Sequence, residues 1–206
     1  MGSAAPNIPA ELSLSTLTEA AKDCHGCDLW KRGTQTVFGD GARHASVMFV
    51  GEQPGNDEDL EGRPFVGPAG RLLDSGLEAA GIDRSQVYVT NVVKHFKWIP
   101  RGKRRIHEKP NAREIAACRP WLDAEIALLK PSVIVCLGAT AAQALLGRSF
   151  KVSQQRGVAI QGNPLAPFIV ATVHPSSVLR APDETRHQER ERFFADLQNI
   201  ARLIEE

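Results

Sequence analysis

Four short apolar, β-branched runs constrain this chain more than any other feature: Ser46–Val50, Gln86–Thr90, Ser132–Leu137 and Phe168–Val173. Each is too short for a buried helix and is bounded by turn residues, so each reads as a strand buried on both faces. Helical patterns lie between and after them. Gly70–Ala80 stops at Gly81, a natural helix terminator. Asn111–Leu129 opens with an Asn cap and Glu114 three residues on, while Pro120 predicts a kink or a split into two helices. Ala139–Leu146 follows the third strand directly, and Glu184–Ile204 is long, charged and amphipathic. Alternation of this kind specifies an α/β fold: a central four-stranded parallel sheet flanked by helices on both faces.

The 206 residues suffice for one core and are few for two. The expected organisation is a flexible N-terminus over 1–10 and a single domain over 11–206. The longest apolar stretch, around Val133–Leu146, is broken by Gly138, Thr140 and Gln143 and is too short to span a bilayer. Met1–Leu17 lacks the basic-then-apolar layout of a secretory signal. A cytoplasmic protein without membrane contact is therefore expected, and no exposed heptad argues against a monomer.

The chemistry-bearing residues cluster where strands end. Gly51-Glu52-Gln53-Pro54-Gly55 follows the first strand, Asn91 the second, Gly138-Ala139-Thr140 the third and His174-Pro175-Ser176-Ser177 the fourth. The carboxyl ends of parallel strands line the ligand crevice of an open sheet, so these four predict one shared pocket. The GEQPG turn lets backbone approach a ligand, with Glu52 and Gln53 offering a carboxylate and an amide; a merely tight turn explains it equally well. Phe65, in a Gly/Pro-rich loop, suits a stacking platform for a base, although packing is the commoner role. A neutral His174 suits hydrogen bonding to a leaving-group oxygen, and equally a cap on the following turn.

Net charge is only +1, but its distribution is uneven. Lys94–Lys109 holds seven Lys/Arg and one acid, a local +6 against −5 on the other 190 residues. Phe96 and Trp98 are interleaved with these cations. Cations for phosphates and rings for exposed bases suit a nucleic-acid strand; a solvated loop is the plainer reading. Four cysteines are present: Cys24, Cys27, Cys118 and Cys136. Without a secretory signal, metal binding is a better reading than a disulfide framework. Only the first pair has the knuckle spacing of structural zinc, and thiolates from a loop, a helix and a strand suit a cubane iron–sulfur cluster at least as well.

Taken together, GEQPG, the Glu58–Leu73 run EDLEGRPFVGPAGRLL, TNVVKHFK (Thr90–Lys97), KRRIH (Lys103–His107), ACRPWL (Ala117–Leu122), LGATAA (Leu137–Ala142) and HPSS (His174–Ser177) resemble the uracil-DNA glycosylase superfamily. The likeness is to its iron–sulfur family-4 branch, and within that to UdgX-type members, which pair Gln53 with KRRIH; it spans about Cys24 to Arg180. The resemblance implies a repair enzyme that removes uracil from DNA, preferably single-stranded. Phe65 would stack on the flipped base and Asn91 would read its edge, with Gln53 and His174 also at the uracil. His174 would stabilise the departing anion. His107 would attach covalently to the sugar C1′, presented by the Arg104–Arg105 stretch, with Gln53 positioning that loop and Glu52 assisting. The same likeness places Lys94, Lys103, Arg104, Arg105, Ser176 and Ser177 at the DNA, and a structural [4Fe–4S] cluster (zinc as the alternative) on the four cysteines. Asn56 departs from the pattern, since relatives often carry an acid there, and no catalytic carboxylate is assigned among Asn56, Asp57 and Asp59. A turning-over glycosylase and a non-catalytic metal-containing binding module are the competing readings.

Overall fold

In the computed structural model, which describes residues 2–204, the chain runs α1 (Leu14–Ala21), β1 (Asp40–Gly41), β2 (Val47–Gly51), α2 (Asn56–Glu61), α3 (Pro68–Ala79), β3 (Val87–Asn91), β4 (Trp98–Arg101) and β5 (Arg104–His107). It continues through α4 (Ala112–Leu129), β6 (Val133–Leu137), α5 (Ala139–Leu146), α6 (Val152–Gln155), β7 (Ala159–Asn163), β8 (Ala166–Thr172), α7 (Pro175–Leu179) and α8 (Asp183–Ile204). The four expected strands are β2, β3, β6 and β8, all parallel, in the spatial order β3-β2-β6-β8.

The sheet has six strands rather than four. β1 pairs antiparallel outside β3, and β7 pairs antiparallel outside β8. Neither has a sequence signature: β1 is two residues long, and β7 is half exposed and contains Gly162. Both form only because an edge of the sheet is there to receive them.

Strand alternation sorts side chains into two layers. Along β6, Ile134 and Cys136 enter one layer with Trp121 and Leu122 of α4, Leu17 of α1 and Ala141 of α5. Val133, Val135 and Leu137 enter the other, with Leu73 and Leu77 of α3 and Phe193, Leu197 and Ile200 of α8. Helices thus cover both faces, as sheets with continuous apolar strands demand.

Asn111 caps α4 by accepting from the Arg113 and Glu114 N–H groups at 2.9 Å, and the Glu114 carboxylate takes the Asn111 N–H at 2.7 Å. Pro120 does not split this helix. Trp121 and Leu122, both fully buried, anchor the turn around it and outweigh the lost backbone bond. Within the arm expected at 1–10, Ala4 is fully buried and its N–H donates to the Ala117 carbonyl at 2.8 Å; Met1 lies outside the described residues. Among the described residues no helix is long and apolar enough to cross a membrane.

The basic segment is a hairpin rather than a loop. β4 and β5 pair antiparallel from Trp98↔His107 to Arg101↔Arg104 around Gly102-Lys103, with Gly102 at φ 59°. A two-residue turn with Gly first is a hairpin signal legible in RGKR. Pro100 is tolerated because a two-stranded ribbon is all edge.

Candidate active site

The ends of β2, β3, β6 and β8 open on one cleft of about 640 Å³, lined by Glu52, Gln53, Phe65, Asn91, Thr140 and His174, with His107 and Lys109 at its hairpin side. The four strand-end motifs therefore share a pocket.

One wall is shaped for a flat ring. Phe65 sits in the left-handed region at φ 57°, and its ring stacks against that of His174 with centroids 6.1 Å apart and planes 26° from parallel. A non-glycine residue pays a conformational cost there, so the surroundings must enforce it. Gly70 of α3 permits it: a Cβ there would overlap the Phe65 carbonyl oxygen. At Gly51 a Cβ would come within 2.9 Å of the Phe65 ring and collide with the Asn91 amide oxygen. Glu58 ties the two flanking loops together, accepting from the Gly55 N–H at 3.0 Å and the Gly67 N–H at 2.9 Å. Asn91, the last residue of β3, is 3% exposed and borders the cleft; its side-chain amide makes no protein hydrogen bond among the described residues.

His174 completes this wall. Its Nδ1 accepts from the Ser176 backbone N–H at 3.2 Å, with the Ser176 hydroxyl 2.8 Å away, so the imidazole both caps α7 and carries its proton on Nε2. Burial, aided by the nearby Arg180 and His107 side chains and opposed by Glu52, pushes its pKa down to about 4. At neutral pH it is an uncharged N–H donor.

Glu52, Thr140 and His107 line the same cleft. The Glu52 carboxylate meets His107 Nε2 at 3.2 Å and accepts a short hydrogen bond from the Thr140 hydroxyl. Burial alone would raise the Glu52 pKa; hydrogen bonds from His107 and Thr140, with Lys109 nearby, outweigh it and hold the group below its ordinary value. Lys109, Arg180 and Glu58 were not singled out by sequence for this site, whereas Thr140 was placed there by its strand-end tripeptide.

The hairpin carrying His107 is clamped at both ends. Gln53 Nε2 donates to the Lys97 carbonyl at 3.2 Å and the Glu108 carbonyl at 3.1 Å, and its oxygen accepts from the Lys97 N–H at 3.0 Å. Both amide donors are therefore spent on the hairpin rather than on a base. Arg105, expected at DNA, instead points inward: its guanidinium meets buried Asp59 at 2.6 Å, donates to Asn56 at 2.8 Å and lies over the Phe96 and Trp98 rings. Lys94, also expected at DNA, is wholly buried and paired with Glu125 at 2.6 Å, so it cannot reach a phosphate. Lys103 and Arg104 are exposed at the hairpin tip. Ser176 borders the cleft, whereas the Ser177 hydroxyl bonds the His174 carbonyl at 2.7 Å. Asn56 and Asp59 thus serve the Arg105 anchor.

Residues 38–198 match the family model described as the uracil DNA glycosylase superfamily. The chain belongs to that superfamily. It is 40% identical over 177 residues to a type-4 uracil-DNA glycosylase of Pyrobaculum aerophilum, covering 83% of this chain and 87% of the relative. The type-4 uracil-DNA glycosylase of Archaeoglobus fulgidus is 36% identical over 197 residues, 93% of both chains. That of Thermotoga maritima is 38% identical over 172 residues, 81% of this chain and 83% of its own.

In this uracil-DNA glycosylase superfamily member the match includes Cys118 and Cys136 and begins after Cys24 and Cys27. The fold nevertheless draws all four into one core layer, three of them buried and none in a disulfide. Two N–H groups point at sulfur: Trp121 Nε1 at 3.2 Å from Cys24 Sγ and the Lys94 amide at 3.3 Å from Cys118 Sγ. Burial pushes the Cys118 and Cys136 thiols up to about 12. Among the described residues no three His, Cys, Asp or Glu side chains converge on a single ion. The donor set, four thiols with N–H···S contacts to two of them, fits a thiolate-held metal centre.

Proposed function

We propose that this superfamily member excises uracil from DNA and then captures the sugar it has exposed, through His107. One observation carries the second half of this reading: the His107–Glu52 pair lines the same cleft as Phe65, Asn91 and His174, on a hairpin that Gln53 clamps by three hydrogen bonds.

Uracil flipped into the cleft stacks on Phe65 and is read by the free Asn91 amide. As the bond between C1′ and the base breaks, its electron pair leaves with uracil and positive charge develops on the sugar. The His174 Nε2–H donates to the carbonyl oxygen where the negative charge collects, and ionised Glu52 faces the cation. An imidazole nitrogen of His107 held within about 3–3.5 Å of C1′ competes with water through proximity. Its lone pair forms the new C–N bond, and the proton on the other ring nitrogen, made acidic by that bond, passes to Glu52. The protein stays joined to the DNA through this bond and acts once. Flipping costs less from a single strand, which favours single-stranded substrate. Lys103, Arg104, Lys109 and Arg180 meet the phosphates. Cys24, Cys27, Cys118 and Cys136 hold a [4Fe–4S] cluster, which braces the fold when bound. The protein acts as a monomer in the cytoplasm.

The test mixes the protein with a labelled oligonucleotide containing one uracil, with a thymine control, and resolves the products on a denaturing gel after heating in SDS. A heat-stable slow band that needs uracil and disappears in His107→Ser, with alkali-labile sites accumulating instead, supports capture. Alkali-labile sites without the band select a turning-over glycosylase. Neither product, with absorption near 400 nm intact, leaves a binding module.

A further inference from the structure

The KRRIH hairpin and the strand ends account for the cleft, but not for a fully desolvated ion pair directly beneath it. Lys94 has no exposed surface and spends all three ammonium donors: on Thr90 Oγ1 at 2.5 Å, on the Asn91 carbonyl at 2.8 Å and on Glu125 at 2.6 Å. Glu125, on α4, is equally buried and also accepts from the Tyr88 hydroxyl at 2.9 Å and from Thr90. A buried ion pair of this kind adds little net stability, because desolvation offsets the attraction. What it does is orient. The β3 ladder ends at Asn91, and the carbonyl there is held by Lys94 rather than left free in the interior. The next two amides donate back to the end of β2 and the residue after it, Val92 to Gly51 at 2.9 Å and Val93 to Glu52 at 3.1 Å. The lysine's own backbone N–H reaches Cys118 Sγ at 3.3 Å. One residue therefore touches the main chain of the base-reading asparagine and a cysteine of the candidate metal centre.

We propose that Lys94 is a positioning residue for Asn91, holding the base-reading amide against the cleft through a buried ion pair that leans on the cysteine centre. It touches neither substrate nor sugar. It acts by fixing the backbone from which the Asn91 side chain projects, into space that the absence of a Cβ at Gly51 leaves open. This inference rests on the reading of Asn91 as the uracil-binding amide.

The test is a double-mutant cycle on the full-length protein: parent, Lys94→Met, Asn91→Ala and the double variant, each followed by single-turnover uracil release at saturating oligonucleotide. In the parent background Lys94→Met slows uracil release on the order of 10- to 100-fold, the range for a displaced positioning group. Binding of a uracil-free oligonucleotide and absorption near 400 nm are unchanged. In the Asn91→Ala background the same substitution changes the rate less than about twofold, because the residue it acts through is gone. Equal losses in both backgrounds, or no loss in the parent background, overturn the proposal. Should Lys94→Met fail to fold, Lys94→Met/Glu125→Met removes both charges together and carries the same cycle. A parent that releases no uracil overturns the reading of the site itself, a result distinct from an additive cycle.

Discussion

Gln53→Ala separates excision from capture. The Gln53 side chain makes three hydrogen bonds to the hairpin ends, at 3.0, 3.1 and 3.2 Å, and none to the base-facing wall. At about 1 kcal/mol net for each bond, their loss weakens docking of the hairpin by about 3 kcal/mol, a factor of about 150 in the docking equilibrium. The cross-hairpin bond from Glu108 N–H to the Lys97 carbonyl and the Arg105 anchor remain, so the hairpin stays formed but is less often seated. Phe65, Asn91 and His174 are held by other elements. Uracil release should therefore stay within about tenfold of the parent, while the captured fraction of excised sites falls steeply and free alkali-labile sites appear. The assay is a single-turnover time course with the SDS-resistant adduct and the alkali-cleaved product quantified from the same samples. A Gln53→Ala protein that captures the same fraction as its parent would refute the claim that this amide seats the hairpin.

Two further perturbations probe the supporting structure. Arg105→Met leaves Asp59 buried with only Thr34 donating to it, at 2.9 Å from its N–H and 2.6 Å from its hydroxyl, and should cost about 3 kcal/mol in urea unfolding; a loss under about 1 kcal/mol would place Arg105 at the DNA after all. His95 and His174 are both pushed down to about 4, chiefly by burial, so the unfolded chain binds their protons first. Their contribution to stability is complete above about pH 6.5 and is lost as pH falls toward 4, so urea midpoints should decline across that interval; a flat profile would contradict the buried, neutral assignment.

The parallel core was legible because its strands are apolar on both faces, and such runs have few other fates. The edge strands were not: β1 and β7 pair with a sheet that must already exist. Pro120 misled for a related reason, since local propensity favours a break and burial of Trp121 and Leu122 overrides it. At the site, the clustering of Glu52, Asn91, Thr140 and His174 followed from strand ends alone, because the carboxyl ends of parallel strands must open on one side.

The basic segment divides most sharply between the two levels. Composition and spacing established that Lys94–Lys109 is a cationic stretch beside a pocket strand. They could not tell which cations face water, because charge is a property of the residue and solvation a property of the place. Tertiary contacts decided it: Glu125 draws Lys94 into the core, and Asp59 draws Arg105 under the hairpin. Glu125 is 31 positions from Lys94 and Asp59 is 46 from Arg105, separations no local pattern spans. The sequence by itself determined the parallel core of the sheet, the pocket and the residue types that line it; the folded structure alone decided the edge strands, which charges are spent holding the site together and which remain for a ligand.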